Sequence, residues 1–358
     1  MIETWGFYLF CTGPGQMLEP EAVTPEDYQR AYDQYLDLWQ RCEGWGFDGL
    51  AFAEHHFNPI NLSPSPHLLV AAVAQRTERL RFTALGEVLA LHDGRRVAEE
   101  CGMLAYLTNG RFEPGIAPGA GPDECVAAGI PADQIRPRYY SAAEVLGKAL
   151  AGPRVTHHDD FHNLDEVGIV PRMQLSPGQS VWVTVMSPDS VVWTAQRGYK
   201  MCTSWMPIAS TQALAGAYYE AAEAAGRPAT PSMLGLRRRT YVAETDAAAQ
   251  EACEAAEDVI EKQIGKAFET IDPAILAIFK DPDDFIVGSP DTVAEKWIEQ
   301  CRAGGYGVAM ALTDFKVFQP EDLARSHELL GTKVAPILRS ADLNPTTAAA
   351  GSLATADH

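Results

Sequence analysis

Eight apolar runs, each followed by amphipathic helical material, predict an α/β chain folded as a (β/α)8 TIM barrel. Two observations favour this over a doubly wound open sheet. No GxGxxG opens a helix after the first strand, and Gly13-Pro14-Gly15 lacks the spacing that cradles a pyrophosphate. The 358 residues exceed the ~250 typical of such a barrel, so insertions are expected after strands 4 and 7. With no internal repeat and no earlier composition shift, residues 1–338 read as a single domain. Residues 339–358, rich in Ala, Thr and Gly, read as a disordered tail.

Thr4 to Phe10 forms the first expected strand. The helix after it runs from about Pro25 to Gly44: Thr24 is the N-cap, Pro25 occupies N1, and Glu26 and Asp27 charge the first turn. Tyr28, Tyr32, Tyr35, Leu36 and Trp39 share one face of it. The second strand, Gly49-Leu50-Ala51-Phe52-Ala53, is a short apolar run of the buried kind, and it ends in Glu54-His55-His56-Phe57. Next come a helix at Pro66 to Gln75, a strand at Leu80 to Leu89, a helix at Arg95 to Leu107 and a strand at Arg111 to Ala117. The pattern then loosens around a helix at Pro137 to Leu150 and a hairpin-like stretch through Gln174. It resumes with a strand at Val181 to Met186, a helix to Arg197, a strand at Lys200 to Ser204 and a helix at Thr211 to Ala225. A strand at Leu236 to Ala243 leads into an Ala-rich helix from near Asp246 and an irregular insertion around Thr270 to Gly288. A helix at Pro290 to Ala303, a strand at Gly307 to Leu312 and a helix at Pro320 to Ile337 finish the ordered chain.

Composition excludes several function classes. No apolar stretch approaches the ~18 residues of a membrane span, and Met1-Ile2-Glu3-Thr4-Trp5 does not read as a secretory signal, so a cytoplasmic location is expected. A net charge of −20 opposes binding to nucleic acid, and the most basic cluster, Arg237-Arg238-Arg239, is too short for a groove. The seven cysteines are scattered without a CxxC pair, so neither a disulfide framework nor a zinc site is implied. His157-His158-Asp159-Asp160 with His162 invites a metal reading, but the ligands crowd one short segment and no metal is expected.

In a barrel of this kind, chemistry belongs to the C-terminal ends of the strands. Glu54-His55-His56 lies at one of them. Read alone, it is either a surface turn with a structural histidine or a proton-handling group, since an imidazole near pKa 6.5 exchanges protons at neutral pH. Ser187-Pro188-Asp189-Ser190 places two hydroxyls and a proline at a helix start, as either a phosphate grip or a plain N-cap. Glu87, inside an apolar strand, is either a buried site carboxylate or a core residue paired with Arg81 or Arg96.

Several segments together carry a resemblance. Ala53-Glu54-His55-His56-Phe57, Ser65-Pro66-His67-Leu68-Leu69, Leu91-His92-Asp93 with Arg96-Val97-Ala98-Glu99-Glu100, and Asn109-Gly110-Arg111-Phe112 resemble, in order and spacing, the bacterial luciferase-like flavin monooxygenases. Ser187-Pro188-Asp189-Ser190, Trp193 to Gly198, Thr203-Ser204-Trp205 and Val287-Gly288-Ser289-Pro290-Asp291 continue it to about Leu338. The resemblance implies a (β/α)8 barrel that takes reduced FMN from a separate flavin reductase and activates O2 as a flavin C4a peroxide. It implies His55 as catalytic base and His56 as a neighbour needed for activity, with Ser187 and Ser190 on the FMN phosphate and Trp205 beside the flavin ring. It also implies a non-prolyl cis peptide near Leu85-Gly86 and a phosphate loop beginning at Met186. Leu85, Gly86, Met186, Ser187, Ser190 and Trp205 are thus the expected cofactor contacts.

Two departures stand out. Pro118 occupies the place of the family's phosphate-binding arginine, and Met186 that of a glutamate. The primary expectation is a two-component monooxygenase that hydroxylates, or inserts oxygen into, a small apolar or carbonyl-bearing substrate. The alternatives are an F420-dependent oxidoreductase of the same fold and a non-catalytic flavin-binding barrel. The resemblance also implies a homodimer through Pro66 to Gln75 and Arg95 to Leu107, with Ala71, Ala72, Ala74, Ala98 and Gly102 permitting close approach. It equates the Thr270 to Gly288 insertion with a mobile loop that closes over the flavin.

Overall fold

Thr24 starts the first helix as its chemistry dictates. Its hydroxyl accepts the Asp27 backbone N–H, the Asp27 carboxylate accepts the Thr24 N–H, and Pro25 opens a helix that ends at a left-handed Gly46. The computed structural model describes residues 1–12, 20–57, 61–119, 122–267, 281–313 and 318–343. The chain divides into two compact units.

The larger part of the first half, Gly6–Val185 with Asp314–Ala324, makes one unit. Its elements are β1 (Glu3–Tyr8, entering from the other unit), α1 (Pro25–Trp45), β2 (Gly49–Phe52), α2 (Pro66–Ala74), β3 (Arg81–Ala84), β4 (Glu87–Val88) and α3 (Gly94–Leu107). They continue with β5 (Phe112–Glu113), β6 (Gly115–Ala117), α4 (Pro122–Ala127), α5 (Ile135–Ala151), β7 (Arg154–His158), β8 (Asn163–Gly168) and β9 (Trp182–Thr184). Strands β2, β3 and β5 pair in parallel, as do β4, β6 and β9, and the expected hairpin is the antiparallel pair β7–β8. Trp39 of α1 sits among Tyr8, Phe10, Tyr35 and Phe52, which anchors the helix over the first two strands.

Two predicted strands are each two strands here. Leu80 to Leu89 breaks at a cis Leu85–Gly86 peptide, where the family resemblance puts one, and Arg111 to Ala117 breaks at Pro114, which has no N–H for a ladder. Glycine is required at both breaks. A Cβ on Gly86 would lie 2.5 Å from the Ile116 carbonyl carbon, and one on Gly115 would lie 1.8 Å from the Ala84 oxygen. The sequence reading also missed α4.

The other unit comprises Met1–Trp5, Met186–Thr313 and Arg325–His358. It holds α6 (Pro188–Gln196), β10 (Lys200–Ser204), α7 (Ile208–Ala224), β11 (Leu234–Val242), α8 (Asp246–Ala267), β12 (Phe285–Gly288), α9 (Pro290–Gly304) and β13 (Val308–Leu312). A helix at Pro320–Leu329 passes through a π-helical turn at Leu330–Val334 into Ala335–Ser340, so the single helix expected there is interrupted. Strand β11 pairs in parallel with β10, β13 and β12. The last pairing corrects the irregular insertion expected through Gly288: the apolar run Phe285-Ile286-Val287 follows an Asp-Pro-Asp-Asp turn and joins the sheet. The rest of that insertion, residues 268–280, and the tail from residue 344 lie outside the described residues.

Candidate functional site

The end of β2 delivers a carboxylate into the protein and two imidazoles beside it. Glu54 is 3% exposed. Its Oε1 lies 2.7 Å from His56 Nε2 and 2.7 Å from His92 Nε2, while its Oε2 accepts the Val88 N–H at 2.7 Å. Glu54 therefore supports His56 and His92. His55 is held instead by Glu124 of α4, whose Oε1 lies 2.9 Å from Nδ1 and whose Oε2 accepts the His56 N–H at 3.1 Å. Sequence reasoning missed Glu124 together with α4, the six-residue helix that carries it and is too short to show a period.

Glu87 does not pair with Arg81 or Arg96. Its Oε1 faces His92 Nε2 at 3.7 Å and its Oε2 faces His67 Nε2 at 3.5 Å, while Arg96 pairs with Glu100 at 2.8 Å. Glu87 opens a strand of its own, β4, apart from Arg81–Ala84, so the alternation of one continuous strand could not aim it. His67 completes the array with its other nitrogen, 3.1 Å from Glu100 Oε2.

The electrostatics follow the contacts. Burial opposes ionisation of Glu54, but the hydrogen bonds from His56, His92 and Val88 outweigh it and hold its carboxyl down at about 2. The hydrogen bond to Glu54 raises His56. Burial works against a charged His92, yet Glu54 and Glu87 raise it. His67 is raised well above 6.5, because Glu87, Cys101 and Glu100 outweigh its burial. Burial raises Glu87. Donor atoms of Glu54, His56 and His92 lie within 4.8 Å of one another. Their 2.7 Å separations are hydrogen-bond lengths, however, and an ion ~2.0–2.1 Å from each donor would spread them apart. The arrangement suits shared protons.

A raised folded-state pKa stabilises the protein in full below the unfolded value of about 6.5, and the gain is lost as pH rises through the folded pKa. Replacing His67 with Gln is thus expected to lower the melting temperature most on the acid side of about pH 6.5, with the deficit shrinking as pH rises. A pH series of thermal melts of the two proteins checks this, and a deficit growing with pH would refute it.

In the other unit, Ser187 and Ser190 cap α6 on each other. The Ser187 N–H meets Ser190 Oγ at 3.3 Å, the Ser190 N–H meets Ser187 Oγ at 3.4 Å, and Ser190 Oγ donates to the Ser187 carbonyl at 2.8 Å. Met186 beside them is 45% exposed. Trp205 has φ +66° and stacks under two guanidiniums, Arg237 at 3.5 Å and Arg239 at 4.4 Å. The basic triplet is therefore interior strand: Arg237, Arg238 and Arg239 lie in β11, whose residues are all buried, and Asp284 faces all three at 3.4, 3.8 and 3.1 Å. In the hairpin, His157, His158 and His162 each face a separate partner, Asp159, Asn163 and Ser141.

Residues 7–306 match the family model for luciferase-like monooxygenases. The chain is 37% identical to the y4wF protein of Sinorhizobium fredii over 169 residues, 47% of this chain and 49% of that protein. It spans about half the length of several curated relatives it matches. To 2,5-diketocamphane 1,2-monooxygenase 1 of Pseudomonas putida it is 23% identical over 351 residues, 87% of this chain and 95% of that one. Among solved structures, it is similar to the oxygenating constituent of 3,6-diketocamphane monooxygenase from the CAM plasmid of Pseudomonas putida, a type II Baeyer-Villiger monooxygenase in complex with FMN. That likeness has a TM-score of 0.72 at 20% identity and covers 94% of this chain and 98% of that one. It shows the expected fold class, a TIM barrel.

Proposed function

Since the chain belongs to the luciferase-like monooxygenase family, we propose that it is a two-component FMN-dependent monooxygenase with a single barrel domain over residues 1–338. Reduced FMN, supplied by a separate flavin reductase, and O2 are its co-substrates, and it hydroxylates or inserts oxygen into a small apolar or carbonyl-bearing molecule. The observation that carries this reading is the buried carboxylate–imidazole cluster at the end of β2, a proton-handling device of the kind such a reaction needs. The FMN-bound Pseudomonas structure and the diketocamphane relative support the cofactor and reaction class.

Flavin, when bound, supplies the activation of oxygen. The chain's residues hold the cofactor and move protons. Ser187 and Ser190 fit a phosphate: the two N–H···Oγ bonds of their cap are at the long limit, so a phosphate oxygen replaces them at little cost, and the nine-residue α6 points its N-terminus the same way. Pro118 and Met186 leave the hydroxyls without the family's charged partners, so Ser187 and Ser190 carry more of that grip. Leu85, Gly86, Met186 and Trp205 are the further proposed FMN contacts. His55, fixed by Glu124, and His56, paired with Glu54, are the proposed catalytic pair.

Titrating the protein separately with reduced FMN and with reduced F420, then measuring reductase-dependent O2 uptake, tests the reading. Binding of FMN with substrate-dependent uptake is expected; binding of F420 alone would overturn it. His55→Ala is expected to leave the FMN dissociation constant within about threefold while lowering turnover about 10²-fold or more, because a base acts on the transition state. Unchanged turnover removes His55 from the chemistry.

The proposed homodimer keeps the two expected helices but only part of the small-residue set. Ala72 is exposed and Ala71 half-buried, whereas Ala74 and Ala98 are buried and a Cβ on Gly102 would lie 2.0 Å from the Pro171 oxygen, so Gly102 packs within its own chain. Leu68 of α2 and Met103, Tyr106 and Leu107 of α3 are instead 70%, 51%, 70% and 47% exposed, an apolar set that a second copy would cover. Sedimentation is expected to give twice 38.9 kDa, and Tyr106→Glu to give the monomer.

A further inference from the structure

Behind the histidines at the end of β2 lies a second set of ionisable groups that the proposed chemistry has not used. Glu87 is 4% exposed and His67 is 6% exposed. They stand in series: His92 Nε2 to Glu87 Oε1, 3.7 Å; Glu87 Oε2 to His67 Nε2, 3.5 Å; His67 Nδ1 to Glu100 Oε2, 3.1 Å. Each oxygen of Glu87 faces a different imidazole, and each nitrogen of His67 faces a different carboxylate. That is the geometry of a relay, in which a group takes a proton on one atom and releases it from another. Glu87 Oε2 is buried and makes no hydrogen bond, so that oxygen has its acceptor capacity available.

We propose that Glu87 and His67 form a buried proton store behind His92, through which the cluster at the end of β2 is resupplied without direct exchange with water. The step balances without any change of oxidation state. When His92 has lost its Nε2 proton, the O–H bond at Glu87 Oε1 breaks as the His92 Nε2–H bond forms. The Nε2–H bond of a His67 imidazolium then breaks as an O–H bond forms at Glu87 Oε2, and His67 remains neutral with its Nδ1–H on Glu100. The gaps of 3.7 and 3.5 Å are longer than hydrogen bonds, so each transfer requires the Glu87 carboxyl to move toward His92 and His67 in turn. His67 starts this sequence charged against Glu100, whose ionised carboxylate lies 3.1 Å from its Nδ1, and Glu87 is the carboxyl of the array that burial keeps protonatable. The groups facing the array are Glu54, His56, Glu100, Arg96 and Cys101, with Glu124 near His56. Glu54 and Glu100 are both held ionised by hydrogen bonds from histidines, so they bracket the store with fixed negative charge.

The role in turnover rests on the flavin reading, whereas the coupling within the store does not, and the experiment separates them. Histidine-labelled protein without cofactor is titrated by NMR from about pH 5 to 9, following the His92 ring. His67→Gln is expected to move the His92 midpoint by about half a pH unit or more. In a Glu87→Gln background the same replacement is expected to leave His92 unmoved. A His92 midpoint indifferent to His67, or a response that survives Glu87→Gln, overturns the store. Should Glu87→Gln not fold, the single His67→Gln comparison decides. With FMN and reductase, Glu87→Gln is expected to cut turnover about tenfold and to shift its pH profile. Coupling in the NMR with turnover and pH profile unchanged also overturns the proposal. A wild-type protein that shows the coupling but no flavin turnover would refute the proposed reaction alone.

Discussion

Replacing Glu54 with Gln is expected to lower turnover about 10²- to 10⁴-fold, the range of a lost acid–base system. Gln keeps the shape and still accepts the Val88 N–H, so the backbone stays in place. It lacks the charge that His56 and His92 share. Both imidazoles then lose the main influence that raises them, and their NMR titration midpoints are expected to fall while FMN affinity changes little. The stability effect has the opposite pH sign to that of His67. Glu54 is depressed to about 2, so its contribution is present above the unfolded value of 4.5 and is lost as pH falls through about 2. The stability gap between wild type and variant is thus expected to narrow on acidification below about 4.5. Unchanged turnover with unchanged histidine midpoints would show that Glu54 is only a packing residue.

Removal of Asp284 is expected to give the largest loss of stability. Asp284→Ala leaves three guanidiniums in a fully buried strand without the carboxylate that faces each of them, and breaking such an ion cluster typically costs about 3–5 kcal/mol. Burial already pulls Arg237 down to about 10 with Asp284 opposing it. Stacking on Trp205 and the bond from Arg238 Nε to Gln300 at 2.7 Å retain part of the favourable contacts, so folding is weakened more than abolished. Urea unfolding of the variant measures the loss. A change below about 1 kcal/mol would show that the arginines are compensated by other groups.

What could be read directly was local. Thr24 and Asp27 announce a capping box within three residues, Ser187 and Ser190 announce another, and the β2 run announces a buried strand with polar residues at its exit. Failures came where a signal was short or its partner distant. Three apolar residues after an acidic turn were too few to declare β12, and nothing near three consecutive arginines names Asp284, 45 or more residues on, as the carboxylate that faces them. Met186, Trp205 and the cis peptide at Leu85–Gly86 were placed by family resemblance, because nothing in their own chemistry selects them.

Sequence by itself therefore determined the barrel class, the strand end that carries Glu54-His55-His56, and the helix start at Ser187, since period, capping and turn chemistry act over a few residues. Only the tertiary structure decided which carboxylate serves which imidazole. His55 and Glu124 are 69 residues apart, His92 and Glu54 38, and His67 and Glu100 33. Such pairings follow from how strands and helices pack, which no short stretch of sequence specifies. The carboxylate–imidazole cluster is a property of the fold, assembled from residues whose partners no local pattern names.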